Sequence, residues 1–447
     1  MSPNFPDPAV LAQVLTSPAQ LNAAGVPHIL SASLGGAVRA RLPESHPLRS
    51  PLRKQAVDLA LRHAHIRAEL RPLLAAWARE GIPALLFKGF ALAEFEYATP
   101  GERFYGDVDL LLPEAPEMVA RAAHIALAYG WRIDGLYAHP ERWTHESMHL
   151  FSPGGHVRID VHRWVVAQSV GVTPTKARKL TSDIWQRASQ VDWEGISVYR
   201  PAPLDAAVVN IALGRCWGGD SGGLKPADYL DLQVLCQNHR LSSETLRRHA
   251  SEVGGSATWA AFQRCCSPEE GHLQLDVRQT APVIAQGLSG DGLKVERGLW
   301  TARWRLLRWL WPQLLPALFD VMAAWWAVRQ GGDPRTHLAR WTPSAASVRR
   351  RLGYSALSAR LTAVSWWTRL LYPRQRKRGV CVPRAYATYR NLYRAGHPAV
   401  FVSGAGRHGA EFVAHAWIED DRGTLELYGE PQNRQNFKVV FSYPGEP

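Results

Sequence analysis

Acidic residues are in short supply in this 447-residue chain: 39 Asp and Glu stand against 52 Lys and Arg, for a formal net charge of +13 and a pI near 9.7. Such a field draws phosphates, acidic peptides, nucleic acid or anionic lipid. Cysteine is sparse as well. The five residues Cys216, Cys236, Cys265, Cys266 and Cys381 form an odd, scattered set without C-x-x-C spacing or a His pair at zinc-like distance, which argues against a disulfide scaffold or a zinc ribbon. The opening MSPNFPDPAVLAQ has no basic segment followed by an apolar one, so no secretory signal is read and a reducing cytoplasm is expected. Long apolar runs are also lacking. The one membrane-like stretch, Trp309 to Val328, is interrupted by Pro312, Gln313, Pro316 and Asp320, so a buried or interfacial helix is expected, with peripheral membrane contact left open and stable insertion excluded. No internal repeat or long low-complexity tract occurs.

What is present describes a folded protein of two or three domains, with 46% hydrophobic residues and 18 Trp. Apolar residues recur at helical spacing from Pro51 to Glu80 and stop at Gly81. IPALLFKG is a short apolar run closed by Lys88-Gly89, and a helix and loop follow it. VDLLL reads as a strand, and PEAPEMVARAAHIALAYG as a helix opened by Pro and ended by Gly130. MHLFSPGGHVRIDVHRW reads as two strands joined by a turn over residues 152–155. Residues 166–290 are mostly helical by periodicity. A helix from about Val382 to Ala395 precedes alternating strand patterns. The basic clusters Arg349, Arg350, Arg351 and Arg374, Arg376, Lys377, Arg378 read as solvated faces, and nucleic acid is not expected as a partner.

Two constellations carry chemistry. Asp107 and Asp109 stand two apart at the start of a strand, so both carboxylates leave one face, and Asp160 on a later strand can join them. Like charges held together need a cation between them, and three carboxylates suit Mg²⁺. Lys88-Gly89 precedes the pair, with Gly89 permitting backbone approach to a phosphate and Lys88 or Arg103 neutralising it. His149 and His162 read as supporting groups rather than ligands. The strings LLFKGFAL, RFYGDVDLLL and HVRIDVHRW resemble the nucleotidyltransferase superfamily with a DNA polymerase β-like core. That resemblance implies divalent metal on Asp107, Asp109 and Asp160 and ATP or another nucleoside triphosphate as substrate. Lys88-Gly89 replaces the usual Gly-Ser of its phosphate-binding turn.

Cys381 follows the basic RQRKRGV and opens a helix, where the dipole and nearby cations favour thiolate. A strand bearing His415 can lie across that helix start, so that imidazole takes the thiol proton. CVPRAYATYRNLYRAG and AHAWIE resemble the transglutaminase-like cysteine proteases, and among them the lasso-peptide leader peptidases. The resemblance implies Cys381 as nucleophile and His415 as general base. The family's third member is an Asp some dozen residues beyond the His; here TLELYGEP offers Glu430, with Glu426 as the other choice.

The expected architecture is mixed α+β and multidomain. It comprises an extension over 1–50, a polymerase-β-like mixed-sheet core over 51–165, a helical region over 166–290, a Trp/Arg-rich connector over 291–350 and a transglutaminase-like α+β domain over 351–447. The resemblances imply maturation of a ribosomally made peptide: the protease removes the leader of a precursor peptide, and the front half transfers a nucleotidyl group to an unnamed acceptor. The implied partners are the precursor peptide, a leader-recognition protein and an ATP-dependent macrolactam cyclase. Two other readings stand beside this one: a front half that binds nucleotide without turnover, and a nucleic-acid-directed transferase with a structural tail.

Overall fold

The computed structural model describes residues 10, 13–14, 17–136, 145–166, 172, 174–214, 226–256, 259–260, 267–269, 272–274, 296–342, 352–372, 380–408, 411–420 and 437–445. Both basic clusters singled out above, and Cys216, Cys265 and Cys266, lie outside them. Two compact units are distinguished: Met1–Glu114, Ala128–Trp131 and Thr144–Gly298 form one, and Ala115–Leu127, Arg132–Trp143 and Leu299–Pro447 the other.

The first unit is organised by a 31-residue helix, α1 (Arg49–Arg79), which buries Leu52, Leu59, Ile66, Leu73 and Trp77 along one face. Apolar residues at steps of seven place that stripe against the rest of the unit. Gly81, at φ +67, then turns the chain out of the helix, a conformation glycine adopts without steric cost. β1 (Leu85–Phe87) runs straight into α2 (Lys88–Phe95) through a Lys88 held at φ +57. β2 (Val108–Leu111), β4 (Glu146–Phe151) and β5 (Arg158–His162) follow; α3 (Pro116–Ala128), all but its last residue, and β3 (Arg132–Leu136) lie between β2 and β4 in the chain and are counted with the second unit. Ser152 to Gly155 makes the turn between β4 and β5, with the Gly155 N–H donating to the Ser152 carbonyl.

After α4 (Pro174–Arg187) the chain adds a hairpin, β6 (Ser189–Trp193) and β7 (Ile196–Arg200). Residues 166–290 were expected to be mostly helical, and among the described residues there are two departures: a short pair of strands over Ser267–Glu269 and His272–Gln274, and this hairpin. Its signal is Trp193-Glu194-Gly195-Ile196, where Glu194 (φ +55) and Gly195 (φ +79) give the two-residue turn that matches strand twist. The resulting seven-stranded sheet has the order β3-β4-β5-β2-β1-β7-β6. β2 pairs parallel with β5 and β1 parallel with β7, while β1–β2, β4–β5 and β6–β7 are antiparallel, so the sheet is mixed. A helix opened by Pro203–Asp205 continues in π form over Ala206–Leu213, followed by α5 (Pro226–His239), α6 (Ser243–Glu252) and the two-stranded antiparallel pair β8 (Ser267–Glu269) and β9 (His272–Gln274). The described residues of the expected 1–50 extension contribute to this core: Leu21, Ile29, Val38 and Leu48 are buried in one cluster with Trp164, Val208 and Tyr229.

In the second unit α7 (Glu296–Gln330), α8 (Pro334–Trp341), α9 (Tyr354–Leu371) and α10 (Cys381–Arg394) accompany a three-stranded antiparallel sheet. Its strands are β10 (Ala399–His408), β11 (Glu411–Asp420) and β12 (Lys438–Tyr443), in the order β11-β10-β12. No helix among the described residues is long and apolar enough to cross a membrane. Asp320, which breaks the apolar stretch of α7, is fully buried and accepts hydrogen bonds from Arg390 (3.0 Å), Asn391 (2.8 Å) and Arg394 (2.7 Å) on α10. Asp320→Ala strands two guanidinium groups and an amide against a buried void. It is expected to destabilise the chain by about 3–5 kcal/mol, read as a lowered urea midpoint, and a change under about 1 kcal/mol would refute that account.

Candidate functional site

The β1–β2–β5–β4 portion of the sheet sets one row of residues side by side: Phe87 opposite Asp109, Asp109 opposite Asp160, and Asp160 opposite His149. Residues directly opposite share a face and approach closely. Asp107 precedes β2 by one residue, and Arg62 holds the backbone just before it by donating to the carbonyls of Tyr105 and Gly106. The charges interact strongly. Burial, with the carboxylates of Asp109 and Asp160 beside it, pushes the Asp107 carboxyl up to about 6. Burial also raises Asp109, but Lys88 and His162 outweigh it and hold that carboxyl well below the usual range. Lys88 Nζ lies 2.7 Å and His162 Nε2 2.9 Å from the same oxygen, Asp109 Oδ1. Asp160 has both oxygens on Arg158, at 2.7 and 3.1 Å.

The other two nucleotide-binding candidates are placed as follows. A Cβ on Gly89 would meet the Tyr105 Cβ at 2.5 Å, so close packing against Tyr105 requires glycine there. Arg103 donates to both Asp231 oxygens at 2.7 Å from a nearly buried position. Lys88, Gly89 and Arg103 also line a cavity of about 40 Å³ with Asn210 and Asp228.

Sequence reasoning passed over His145 and Glu146, at the start of β4, and read His149 only as a supporting group. His145, Glu146 and His149 are spaced H-E-x-x-H, a signal that points to metal when the residues share a face. A regular strand would turn Glu146 away from His149. Here the register shifts between Glu146 and Met148, so that Glu146 pairs His162, Met148 pairs Val161 and His149 pairs Asp160. That bulge returns Glu146 to the face of His149, Asp160 and His162. His149 Nε2 and Glu146 Oε2 are 2.8 Å apart; this contact holds the Glu146 carboxyl down at about 2 and raises the His149 imidazole. Among the described residues, the groups of three donors within 4.8 Å of one another are His145–Glu146–His162 and Glu146–His149–Asp160. Neither includes Asp107 or Asp109.

In the second unit Cys381 begins α10, and β11 carries His415 opposite Gly404 of β10. The Cys381 thiol and the His415 ring share a hydrogen bond, the largest influence on a thiol held below its ordinary pKa. Burial opposes that shift, and the backbone N–H groups of Ala416 and Val382 assist it. The imidazole is flanked by Phe437, with ring centres 5.2 Å apart, and by Trp417 at 6.0 Å, both stacked. Glu430 and Glu426, the two choices for a third member, lie outside the described residues. Of the other cysteines, Cys236 is buried in the first unit, where burial pushes its thiol up to about 11.

Residues 19–266 match the family model described as uncharacterised nucleotidyltransferase, which covers more than half of the chain. The chain belongs to that nucleotidyltransferase family. Residues 317–442 match the transglutaminase-like superfamily, so the protein is a fusion of a nucleotidyltransferase domain with a transglutaminase-like core domain. The match to the nucleotidyltransferase family begins within the expected extension and ends beyond β7, which agrees with burial of that extension in the first unit. A search of curated proteins and one of solved structures each find no match.

Proposed function

We propose that this nucleotidyltransferase–transglutaminase fusion is a cytoplasmic maturation enzyme for a ribosomally made peptide, with a Cys-His peptidase at its C-terminal end and nucleotidyl transfer at its front. The observation that carries the reading is the hydrogen bond between Cys381 and His415, with the thiol held below its ordinary pKa. A thiolate at a helix start, beside an imidazole, is a nucleophile already paired with its base. In the proposed reaction the Cys381 sulfur bonds to the scissile carbonyl carbon, and the C–N bond breaks as His415 gives its proton to the departing amine. Water, deprotonated by His415, then hydrolyses the thioester and restores the thiol. Glu430 is the proposed group that orients the ring.

The leader of a lasso-peptide precursor is the proposed substrate, on the likeness of CVPRAYATYRNLYRAG and AHAWIE to the leader peptidases. A leader-recognition protein and an ATP-dependent macrolactam cyclase are the proposed partners.

At the front, Asp107, Asp109 and Asp160 offer oxygen donors alone, and the crowding that raises Asp107 is what a hard cation relieves. They would hold Mg²⁺, which when bound neutralises triphosphate charge and orients the displacement. Lys88, at the head of α2 and already on Asp109, is placed to meet phosphate oxygens with its ammonium. A non-catalytic nucleotide-binding module is the second reading, favoured by Arg158 covering both oxygens of Asp160.

The test incubates the full chain with Mg²⁺, labelled nucleoside triphosphate, precursor and recognition protein, followed by mass spectrometry. Loss of the leader mass with wild type and not with Cys381→Ala is expected, together with a nucleotidyl adduct. Cleavage that persists in Cys381→Ala sinks the peptidase. Metal-dependent nucleotide binding without any adduct selects the module.

A further inference from the structure

We infer a transition-metal site in the nucleotidyltransferase domain, formed by His145, Glu146 and His162 and separate from the aspartates proposed to hold Mg²⁺. Its three donors lie within 4.8 Å of one another, with His145 Nε2 3.8 Å from Glu146 Oε1. The bulged pairing of β4 with β5 builds this arrangement, since it sets Glu146 opposite His162. The N–H groups of Arg163 and Trp164 both donate to the His145 carbonyl and fasten the start of β4 beside the end of β5.

The second, independent observation is on His162. This imidazole is 1% exposed, and its Nδ1 is buried without a hydrogen-bond partner among the described residues. Its other nitrogen, Nε2, is taken by Asp109 at 2.9 Å. A buried ring nitrogen left unsatisfied is costly and calls for an explanation. A cation on Nδ1 supplies one and also fixes the tautomer: the proton sits on Nε2 and is donated to Asp109. Metal-binding histidines regularly lean on a carboxylate in this way. Glu146 is supported too, with Oε2 held by His149 at 2.8 Å while Oε1 faces His145. Each of these two ligands therefore has one atom for the metal and another tied to a neighbour.

Two imidazoles and one carboxylate favour Zn²⁺ or a neighbouring first-row ion over Mg²⁺, which prefers oxygen. The site stands whether or not the domain transfers nucleotides, because Asp107 takes no part in it. An ion here fixes the orientation of Asp109 through the His162 ring.

The test uses the full chain, stripped with chelator and titrated with Zn²⁺ against a competing chromophoric chelator in excess Mg²⁺. One equivalent is expected to bind. Glu146→Gln and His145→Gln are each expected to weaken it by at least about tenfold, and Asp107→Asn to leave it unchanged. Absence of Zn²⁺ uptake by wild type, or uptake undiminished in both variants, overturns the site. Should the variants misfold by circular dichroism, Co²⁺ absorption of wild type decides. Bands of a nitrogen-ligated ion support the site, and thiolate bands or a spectrum like the hydrated ion refute it.

Discussion

Replacing His415 by Ala is expected to lower precursor cleavage by about two to four orders of magnitude, the usual contribution of a positioned general base. The same variant should change the chemistry of Cys381 without any substrate present. The His415 hydrogen bond is the largest of the influences that lower this thiol, so its removal raises the pKa towards the ordinary value and leaves burial to push it further up. Alkylation of Cys381 by iodoacetamide, followed by mass spectrometry across pH, reads this directly. In wild type the rate should begin to rise at lower pH than for an ordinary thiol, and in His415→Ala the curve should move to higher pH. Superimposable curves would mean that the two side chains are neighbours without being a catalytic pair. Neither residue is deeply buried, so loss of folding is a minor risk and a melting curve controls for it.

Asp109→Asn is expected to remove nucleotidyl transfer by at least about two orders of magnitude, on the scale of deleting one electrostatic contact to a developing charge. Asp109 is the junction of the front site, since Lys88 and His162 both meet its Oδ1 and Asp107 feels its charge. Asp107→Asn should act in the same direction. The raised Asp107 carboxyl adds a pH signature. With its midpoint at about 6, it becomes protonated as the pH falls through that value, so metal-dependent nucleotide binding should weaken from pH 7 towards pH 5. Asp107→Asn should flatten that dependence. Isothermal titration with nucleotide at several pH values measures it, and a wild-type profile level across this interval would remove Asp107 from the proposed magnesium set. The His145–Glu146–His162 site predicts a different pattern, in which Zn²⁺ uptake survives Asp107→Asn.

The sequence by itself determined the elements whose signals are local. Apolar groups at helical spacing up to Gly81 announced α1, the turn after β4 announced its hairpin, and the helix read from Val382 to Ala395 set Cys381 at the start of α10. The mixed α+β architecture and the two families were readable because D-x-D, K-G and A-H-A-W-I-E sit within short strings. The β6–β7 hairpin was also local, in Trp193-Glu194-Gly195-Ile196, but a helical period on either side obscured it. What only the tertiary structure decided is how distant strands register. A one-residue bulge between Glu146 and Met148 decides which face Glu146 occupies, and strand alternation alone predicts the opposite face. Likewise the bidentate contact of Arg103 with Asp231 spans 128 residues, and the fit of Gly89 against Tyr105 depends on chain separated by a helix and a loop. Such contacts carry no local period. They are set when sheet pairing and core packing bring segments together, and the chemistry of the front site depends on them.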